Sequence, residues 1–324
     1  RDLTQERLNK DEDPSWRGKC EKASAVISAP ARLLKLIKPT MAFVSKEACN
    51  PDKPKLTVHD IRVQMGRQQA RLYGHYMNRA NVPADNAMVR AAMQVAILRD
   101  LCASPARSRW NNQPGLLVRS NFNPKTAAVL SLIRDILARR QQTVVVCSRL
   151  NQTEYLCRKL QEAGINYGRI DSSVSPDHHT EQANLFKSGR VPVMFMGIKC
   201  AQAHSFDLCP NLIVGSLEYS FGSFEQASGR IDRVTSKLPM NIYCVLHRNS
   251  IEEIMFDVVA TKGDAATICL RGQRVPRDFK PADLGEIIAQ NFESFSVTDL
   301  QPEEGTVEQE WPALCEALRK TQSK

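Results

Sequence analysis

The sequence predicts an α/β protein built on a doubly wound parallel sheet flanked by helices. Two observations carry this prediction. Short apolar runs such as 143–147 and 191–196 alternate with amphipathic helical stretches from residue 123 onward. Strands that are apolar throughout are typical of a parallel sheet buried on both faces. Right-handed crossovers then place helices on both sides of that sheet.

The regular part of the chain begins at Asn123. Asn123 followed by Pro124 is a typical helix start, with a capping side chain and a proline at the first helical position. Apolar periodicity and closing glycines then define the other elements. The predicted helices are 123–139, 151–163, 176–186, 223–233 and 251–260, and the predicted strands are 143–147, 167–171, 191–196, 212–216 and 241–246. Ligands of such sheets bind beyond the carboxyl ends of the strands. The loops of interest are therefore those after Cys147, Asp171, Met196 and Ser216.

The first third of the chain predicts a mainly helical segment. Apolar residues recur at helical spacing over 33–41, although Pro39 interrupts them. The predicted elements that follow are a loop at 50–54, a strand at 61–65, helices at 72–77 and 89–101, and a loop at 108–115.

The charge of the chain is positive and uneven, with a net value of +9. Residues 283–324 hold nine acidic residues against three basic ones, so they carry −6 and residues 1–282 carry +15. A body this basic suits a polyanionic partner such as nucleic acid. A solvated basic surface explains the same count.

Cysteine spacing and hydropathy exclude other classes. None of the ten cysteines forms a C-x-x-C pair, and zinc sites need convergent ligand pairs, so we expect no metal site and reduced, buried thiols. No run of about 18 apolar residues exists, so we expect no membrane span. We expect a cytoplasmic or nucleoid protein, or a nuclear one in a eukaryote, and not a secreted one. The charged opening 1–19 is typical of the inside of a longer reading frame.

The most specific pattern is Q-A-S-G-R-I-D-R at 226–233. Arg230 and Arg233 are three residues apart, so on the predicted helix they share a face. Gly229 allows a neighbouring backbone to approach closely. Paired guanidiniums suit phosphate oxygens, and at a phosphoryl-transfer site they stabilise the charge that develops. The alternative is a surface helix in which Asp232 pairs with these arginines.

The order of several segments resembles the Snf-type DNA translocases of helicase superfamily two. The motif at 226–233, after a parallel strand late in the sheet, resembles the final motif of that superfamily. Other segments resemble Snf-type features in the same order, over about residues 30–272. These segments are R-I-D-S-S-V-S at 169–175, N-P-K-T at 123–126, S-I-E-E-I at 250–254, and the bridging stretches 34–41, 56–73 and 98–105. The resemblance implies a RecA-like sheet.

The resemblance also implies roles for individual residues. Arg230 and Arg233 match arginine fingers that reach the γ-phosphate of ATP, which is held with Mg²⁺ mainly by another lobe. The other positions implied are Gln226, Gly229 and Asp207 for nucleotide binding, and Ser148, Arg149 and Lys199 beside the nucleic-acid backbone. Plain solvated charge is an equally good explanation for Arg149 and Lys199.

One loop departs from the family pattern. The family has A-G-G-x-G-x-N-L where this chain has A-Q-A-H-S-F-D-L at 201–208. Gln202, Ala203 and Ser205 replace glycines that permit positive φ and close approach to phosphate. Asp207 stands at the asparagine position and resembles the aspartate that meets the ATP ribose in DEAD-box relatives. We therefore expect this loop to take another shape.

The resemblance divides the chain into three parts. These parts are 1–115, the tail of a first lobe with a helical inter-lobe segment; 116–275, the RecA-like C-terminal lobe; and 276–324, an acidic tail. The sequence contains no G-x-x-x-x-G-K-[ST] phosphate cradle and no D-E-x-H metal motif. Phosphoryl transfer needs both, so we expect that this chain alone does not hydrolyse ATP.

The expected function is that of the C-terminal lobe of an ATP-dependent DNA translocase or helicase-like motor. Its expected partners are nucleic acid, with duplex DNA preferred, and an N-terminal ATPase lobe in cis or in trans. Two alternatives stay open. The first is a catalytically degenerate lobe that binds nucleic acid or acts as a scaffold, and the second is an RNA-directed helicase lobe.

Overall fold

The computed structural model describes residues 35, 39, 44, 46–200, 204–218, 220–260 and 310–322. The helical pattern over 33–41 lies almost entirely outside the described residues, as do the predicted boundary at 275 and most of the acidic tail 276–324.

The core of the molecule is a six-stranded parallel sheet. Its strands are β1 (Leu56–Val63), β2 (Thr143–Cys147), β3 (Tyr167–Ile170), β4 (Val193–Gly197), β5 (Asn211–Val214) and β6 (Met240–His247). The spatial order is β1-β6-β5-β2-β4-β3, and every neighbouring pair is parallel. The five strands predicted after residue 123 are thus confirmed, with ends that differ by at most two residues.

Nine helices accompany this sheet in the described part of the chain. They are α1 (Lys46–Cys49), α2 (Arg67–Met77), α3 (Ala87–Ala103), α4 (Pro124–Ala138), α5 (Leu150–Glu162), α6 (Pro176–Lys187), α7 (Phe221–Ser228), α8 (251–260) and α9 (Trp311–Gln322). The start of α4 is confirmed, because the side chain of Asn123 accepts a hydrogen bond of 2.9 Å from the backbone N–H of Thr126. Gly164 and Gly189, which follow α5 and α6, have φ of +73° and +77°, as a glycine stop requires.

Apolar side chains cover the sheet on both faces. In β2 the alternating pair Val144 and Val146 joins a core shared with α2, α3, α6 and α8. The pair Val145 and Cys147 joins a second core shared with α4, α5 and α9. Because successive strand residues point to opposite faces, the sheet lies between two helical layers. The predicted doubly wound architecture is confirmed.

The segment before residue 116 is part of this sheet, which the sequence did not indicate. Strand β1 pairs along its whole length with β6, and Tyr73 of α2 is buried and accepts a hydrogen bond of 2.8 Å from the backbone N–H of Ile251. The boundaries at 115 and 275 stay predictions, but residues 56–103 pack as one unit with the lobe. At the other end, α9 buries Leu314 and Leu318 in the core that contains α4.

A buried ion pair links the starts of α4 and α8. Lys125 forms a salt bridge with Glu252, and their side chains are 1% and 4% exposed. The second carboxylate oxygen of Glu252 accepts hydrogen bonds from the backbone N–H of His247, at 3.0 Å, and lies 3.2 Å from its Nδ1. Burial alone raises the pKa of Glu252, but Lys125 and His247 lower it to about 2. The carboxylate is therefore ionised at neutral pH and holds three elements together.

The described cysteines are unpaired, and six of the eight are buried. In this same part of the chain, no helix combines the length and the apolar character that crossing a bilayer requires.

Candidate functional site

The helix that leads into the arginine motif is shorter than predicted. Ser220 begins α7 by accepting a hydrogen bond of 3.1 Å from the N–H of Ser223, and the helix ends at Ser228. Gly229 is the residue that follows, and a Cβ there would lie 3.0 Å from the carbonyl oxygen of Glu225. The close approach at Gly229 therefore comes from its own helix, not from another segment.

Arg230 and Arg233 consequently do not share a helical face, and that prediction is wrong. They lie in residues 229–236, which we call the arginine loop. Backbone contacts hold this loop in place, because the N–H of Phe206 donates to the carbonyl of Arg230 at 2.8 Å. Ser236 accepts from the N–H of Arg233 at 3.0 Å and donates to the carbonyl of Ile231 at 2.7 Å. Ile231 is fully buried, so the loop is anchored on the core.

The acidic residue of the motif faces away from the arginines. Asp232 is 8% exposed and forms salt bridges with Lys46, at 2.8 Å, and with Lys53. Burial alone would raise the pKa of Asp232, but hydrogen bonds and charge from the two lysines hold it below its ordinary value. The structure therefore contradicts the alternative in which Asp232 pairs with the arginines.

The two arginines have no salt bridge with any described residue. Arg230 Nη1 makes one long contact of 3.4 Å to the carbonyl of His204. The Nε atoms of both arginines are buried without a hydrogen-bond partner. Burial, followed by the charge of Arg233, lowers the pKa of Arg230. Two half-buried cations that repel each other favour an anionic ligand.

The other predicted nucleotide-binding residues lie near this loop or on the helix before it. Asp207 accepts a hydrogen bond of 3.0 Å from the hydroxyl of Thr235 in the arginine loop. Gln226 is exposed on the last turn of α7. These contacts bring Asp207 to the arginine loop, and the roles of Asp207, Gln226 and Gly229 stay predictions. Residues 201–203 of the altered loop are outside the described part.

The predicted nucleic-acid contacts lie together at the carboxyl edge of the sheet. Ser148 and Arg149 follow β2, and Lys199 follows the neighbouring strand β4, which pairs with β2 up to the end of both strands. Lys199 is exposed, and Arg149 is half-buried with an Nε atom that has no hydrogen-bond partner. The backbone N–H and hydroxyl of Ser148 both contact Ser216 Oγ, at 2.8 Å and 3.0 Å. Ser148 is therefore already engaged within the protein, and contact with nucleic acid stays a prediction for all three residues.

Exposed apolar side chains surround the arginine loop. Leu208, next to Asp207, is 64% exposed, and Val234 and Leu238 are 39% and 47% exposed.

One cluster has a composition that metal ions use. Cys102, His247 and Glu252 place their ligand atoms within 4.8 Å of one another in the interior. The ammonium group of Lys125 forms a salt bridge with this same Glu252, so a cation would have to displace it. The cluster is better described as a buried ion pair than as a metal centre.

Sequence reasoning missed the residues that support the arginine loop. Lys46 is 186 positions from Asp232 along the chain, and no periodicity or motif connects them. Ser216 was named only as the end of a predicted strand and Thr235 not at all, because a serine or threonine near a loop carries no specific pattern.

The fold is a RecA-like α/β lobe, and its arginine loop carries two half-buried arginines that form no salt bridge with a described residue. The family comparison agrees, since residues 125–235 match the helicase conserved C-terminal domain. Residues 125–235 are therefore similar to the C-terminal lobe of helicases.

Two further similarities are consistent with that assignment. The chain is 22% identical, over 233 residues and 70% of its own length, to an uncharacterized ATP-dependent helicase of Mycoplasma pneumoniae. The chain spans 21% of that relative's length. The fold is similar to the crystal structure of the C-terminal part of the Fun30 ATPase domain, with a TM-score of 0.55 and 12% identity. That similarity covers 74% of this chain and 98% of the solved one, and it supports the RecA-like fold.

Proposed function

We propose that this chain supplies the second lobe of a nucleic-acid-dependent ATPase of the Snf type. ATP and Mg²⁺ are bound mainly by another lobe, in cis or in trans. Arg230 and Arg233 then meet the γ-phosphate and stabilise the negative charge that develops during its transfer. The observation that carries this proposal is a pair of guanidiniums without a counter-ion among the described residues. They lie on an anchored loop whose own carboxylate is neutralised by lysines.

The surroundings of the loop support the same proposal. The exposed aliphatic side chains of Leu208, Val234 and Leu238 provide an apolar surface for the nucleotide-carrying lobe. Arg149 and Lys199, at the carboxyl edge, contact the phosphates of duplex DNA without reading its sequence. Affinity for DNA then falls steeply as salt increases, because bound counter-ions are released.

The test is Arg230→Ala in the longer protein that carries both lobes. ATP hydrolysis is measured with duplex DNA, single-stranded DNA and RNA. We expect duplex DNA to stimulate hydrolysis most and the variant to lose about 10³-fold in kcat, as loss of an arginine finger does. The matched control is Arg139→Ala, which removes an exposed arginine just after α4.

Three results would contradict the proposal or one part of it. Unchanged hydrolysis in Arg230→Ala would remove the arginine-finger role. A two-lobed protein that binds DNA but never hydrolyses ATP would indicate a binding lobe without motor function. Stimulation by RNA alone would indicate an RNA-directed helicase.

A further inference from the structure

The segment that precedes β1 is attached directly to the arginine loop. Lys46 Nζ donates to both the carbonyl and Oδ2 of Asp232, each at 2.8 Å. Lys53 pairs with the other carboxylate oxygen of Asp232. Asn50 Nδ2 donates to the carbonyl of Val234 at 2.9 Å. Residues 46–53 thus hold the loop through its backbone and its carboxylate.

The burial of these groups makes the contact more than a surface ion pair. The side chains of Asp232 and Lys53 are 11% and 6% exposed, whereas that of Lys46 is 40% exposed. A carboxylate in this environment requires partners, since an uncompensated buried charge is strongly unfavourable. The carboxylate is therefore committed to the two lysines.

The position of Asp232 in the sequence makes its pairing with lysines important for the two arginines. It lies between Arg230 and Arg233, and without the lysines it would be the nearest acid along the chain able to neutralise either one. An arginine paired with Asp232 would be less available to a phosphate, because the carboxylate competes for the same donors.

We propose that Asp232, held by Lys46 and Lys53, is a positioning residue for the arginine loop. Asp232 fixes the loop backbone, and the two lysines keep its carboxylate from competing with a phosphate for Arg230 and Arg233. This inference rests on the proposed function, because it concerns the arginines as phosphate ligands. It adds that the segment 46–53 sets where those arginines lie.

The test measures ATP hydrolysis in the same two-lobed protein with Asp232→Asn, Lys53→Met and Lys46→Met. We expect Asp232→Asn and Lys53→Met to lower kcat about tenfold while the KM for ATP changes less than twofold. A fall in kcat with an equal fall in kcat/KM marks an interaction that matters in the transition state. Lys46→Met has a smaller effect because Lys46 is more exposed. Lys53→Arg, which keeps the charge, recovers most of the activity.

The matched control is Lys55→Met, which removes an exposed lysine two residues from Lys53. Thermal unfolding of each variant identifies any that fail to fold. If Asp232→Asn does not fold, Lys46→Met still tests the positioning role, because the half-exposed lysine can be removed with less disruption.

The two proposals fail in different ways. Unchanged hydrolysis in Arg230→Ala overturns the proposed function. A large loss in Arg230→Ala, together with wild-type kcat in folded Asp232→Asn, Lys53→Met and Lys46→Met, overturns only the positioning role. A proportional loss in Lys55→Met would also overturn it, because the effect would then reflect general charge.

Discussion

Two regions of this molecule hold basic side chains in opposite ways. At the start of α4, Lys125 is 1% exposed and is neutralised by Glu252. In the arginine loop, Arg230 and Arg233 are half-buried and have no salt bridge among the described residues. The cation of the first region joins α4, β6 and α8 through Glu252.

The difference separates charges that stabilise the fold from charges for which we propose a ligand. A buried ion pair with further hydrogen bonds is costly to break, because either partner alone is left uncompensated. Under the proposed function, the two arginines instead contact a phosphate ligand. Stability and activity should therefore respond to different substitutions.

The largest effect on stability is expected for Glu252→Gln. It leaves Lys125 buried without a counter-ion, so the free energy of unfolding should fall by about 3–5 kcal/mol. Urea denaturation of this chain measures the loss. Glu316→Gln is the control, because Glu316 belongs to a fully exposed pair with Lys320 and its removal should leave the denaturation midpoint unchanged. Equal midpoints for Glu252→Gln and wild type would contradict the structural role.

Acid should weaken the same region. The folded pKa of Glu252 is about 2, below its ordinary value of 4.5, so its stabilising contribution is present above pH 4.5 and is lost as pH falls towards 2. Burial also lowers the pKa of His247, so the unfolded chain takes up this proton first and stability begins to decline below about pH 6.5.

Denaturation series at several pH values test this expectation. The contribution of Glu252 is on the order of 3 kcal/mol across its window, and Glu252→Gln should lose that part of the pH dependence. An equally steep decline between pH 4.5 and 2 in that variant would place the acid sensitivity elsewhere.

The smallest effect on stability is expected in the arginine loop. Arg230→Ala and Arg233→Ala remove no salt bridge, so each should change the free energy of unfolding by less than about 0.5 kcal/mol. The same denaturation experiment measures this change, and relief of repulsion could even stabilise the fold. A loss as large as that of Glu252→Gln would show that these arginines are structural and would remove the contrast between the two regions.

Local patterns in the sequence sufficed for most of the fold. The apolar run 143–147 and the cap at Asn123 each depend on neighbours in the chain, and both were predicted where they occur. The end of α7 was predicted wrongly, because the helix ends at Ser228 and not at Arg233. Ala227 and Ile231 are four residues apart and both buried, which imitates helical periodicity beyond the point where Gly229 ends the helix.

The structural features that the sequence did not predict depend on contacts between residues far apart in the chain. A motif identifies Arg230 and Arg233, but the lysines that pair with Asp232 lie more than 170 residues earlier. No motif marks those lysines. Strand β1 was read as part of an inter-lobe segment for the same reason, because its pairing partner β6 is equally distant.

The pairing of β1 with β6 also affects how the protein folds during its synthesis. The first strand of the sheet is completed by the last, so residues 56–63 emerge from the ribosome long before their hydrogen-bonding partners at 240–247. Until then β1 has no template, and closing so long a loop is slow. A fragment that starts at residue 116 would lack this strand and would expose one edge of β6, where extended segments of other chains can pair.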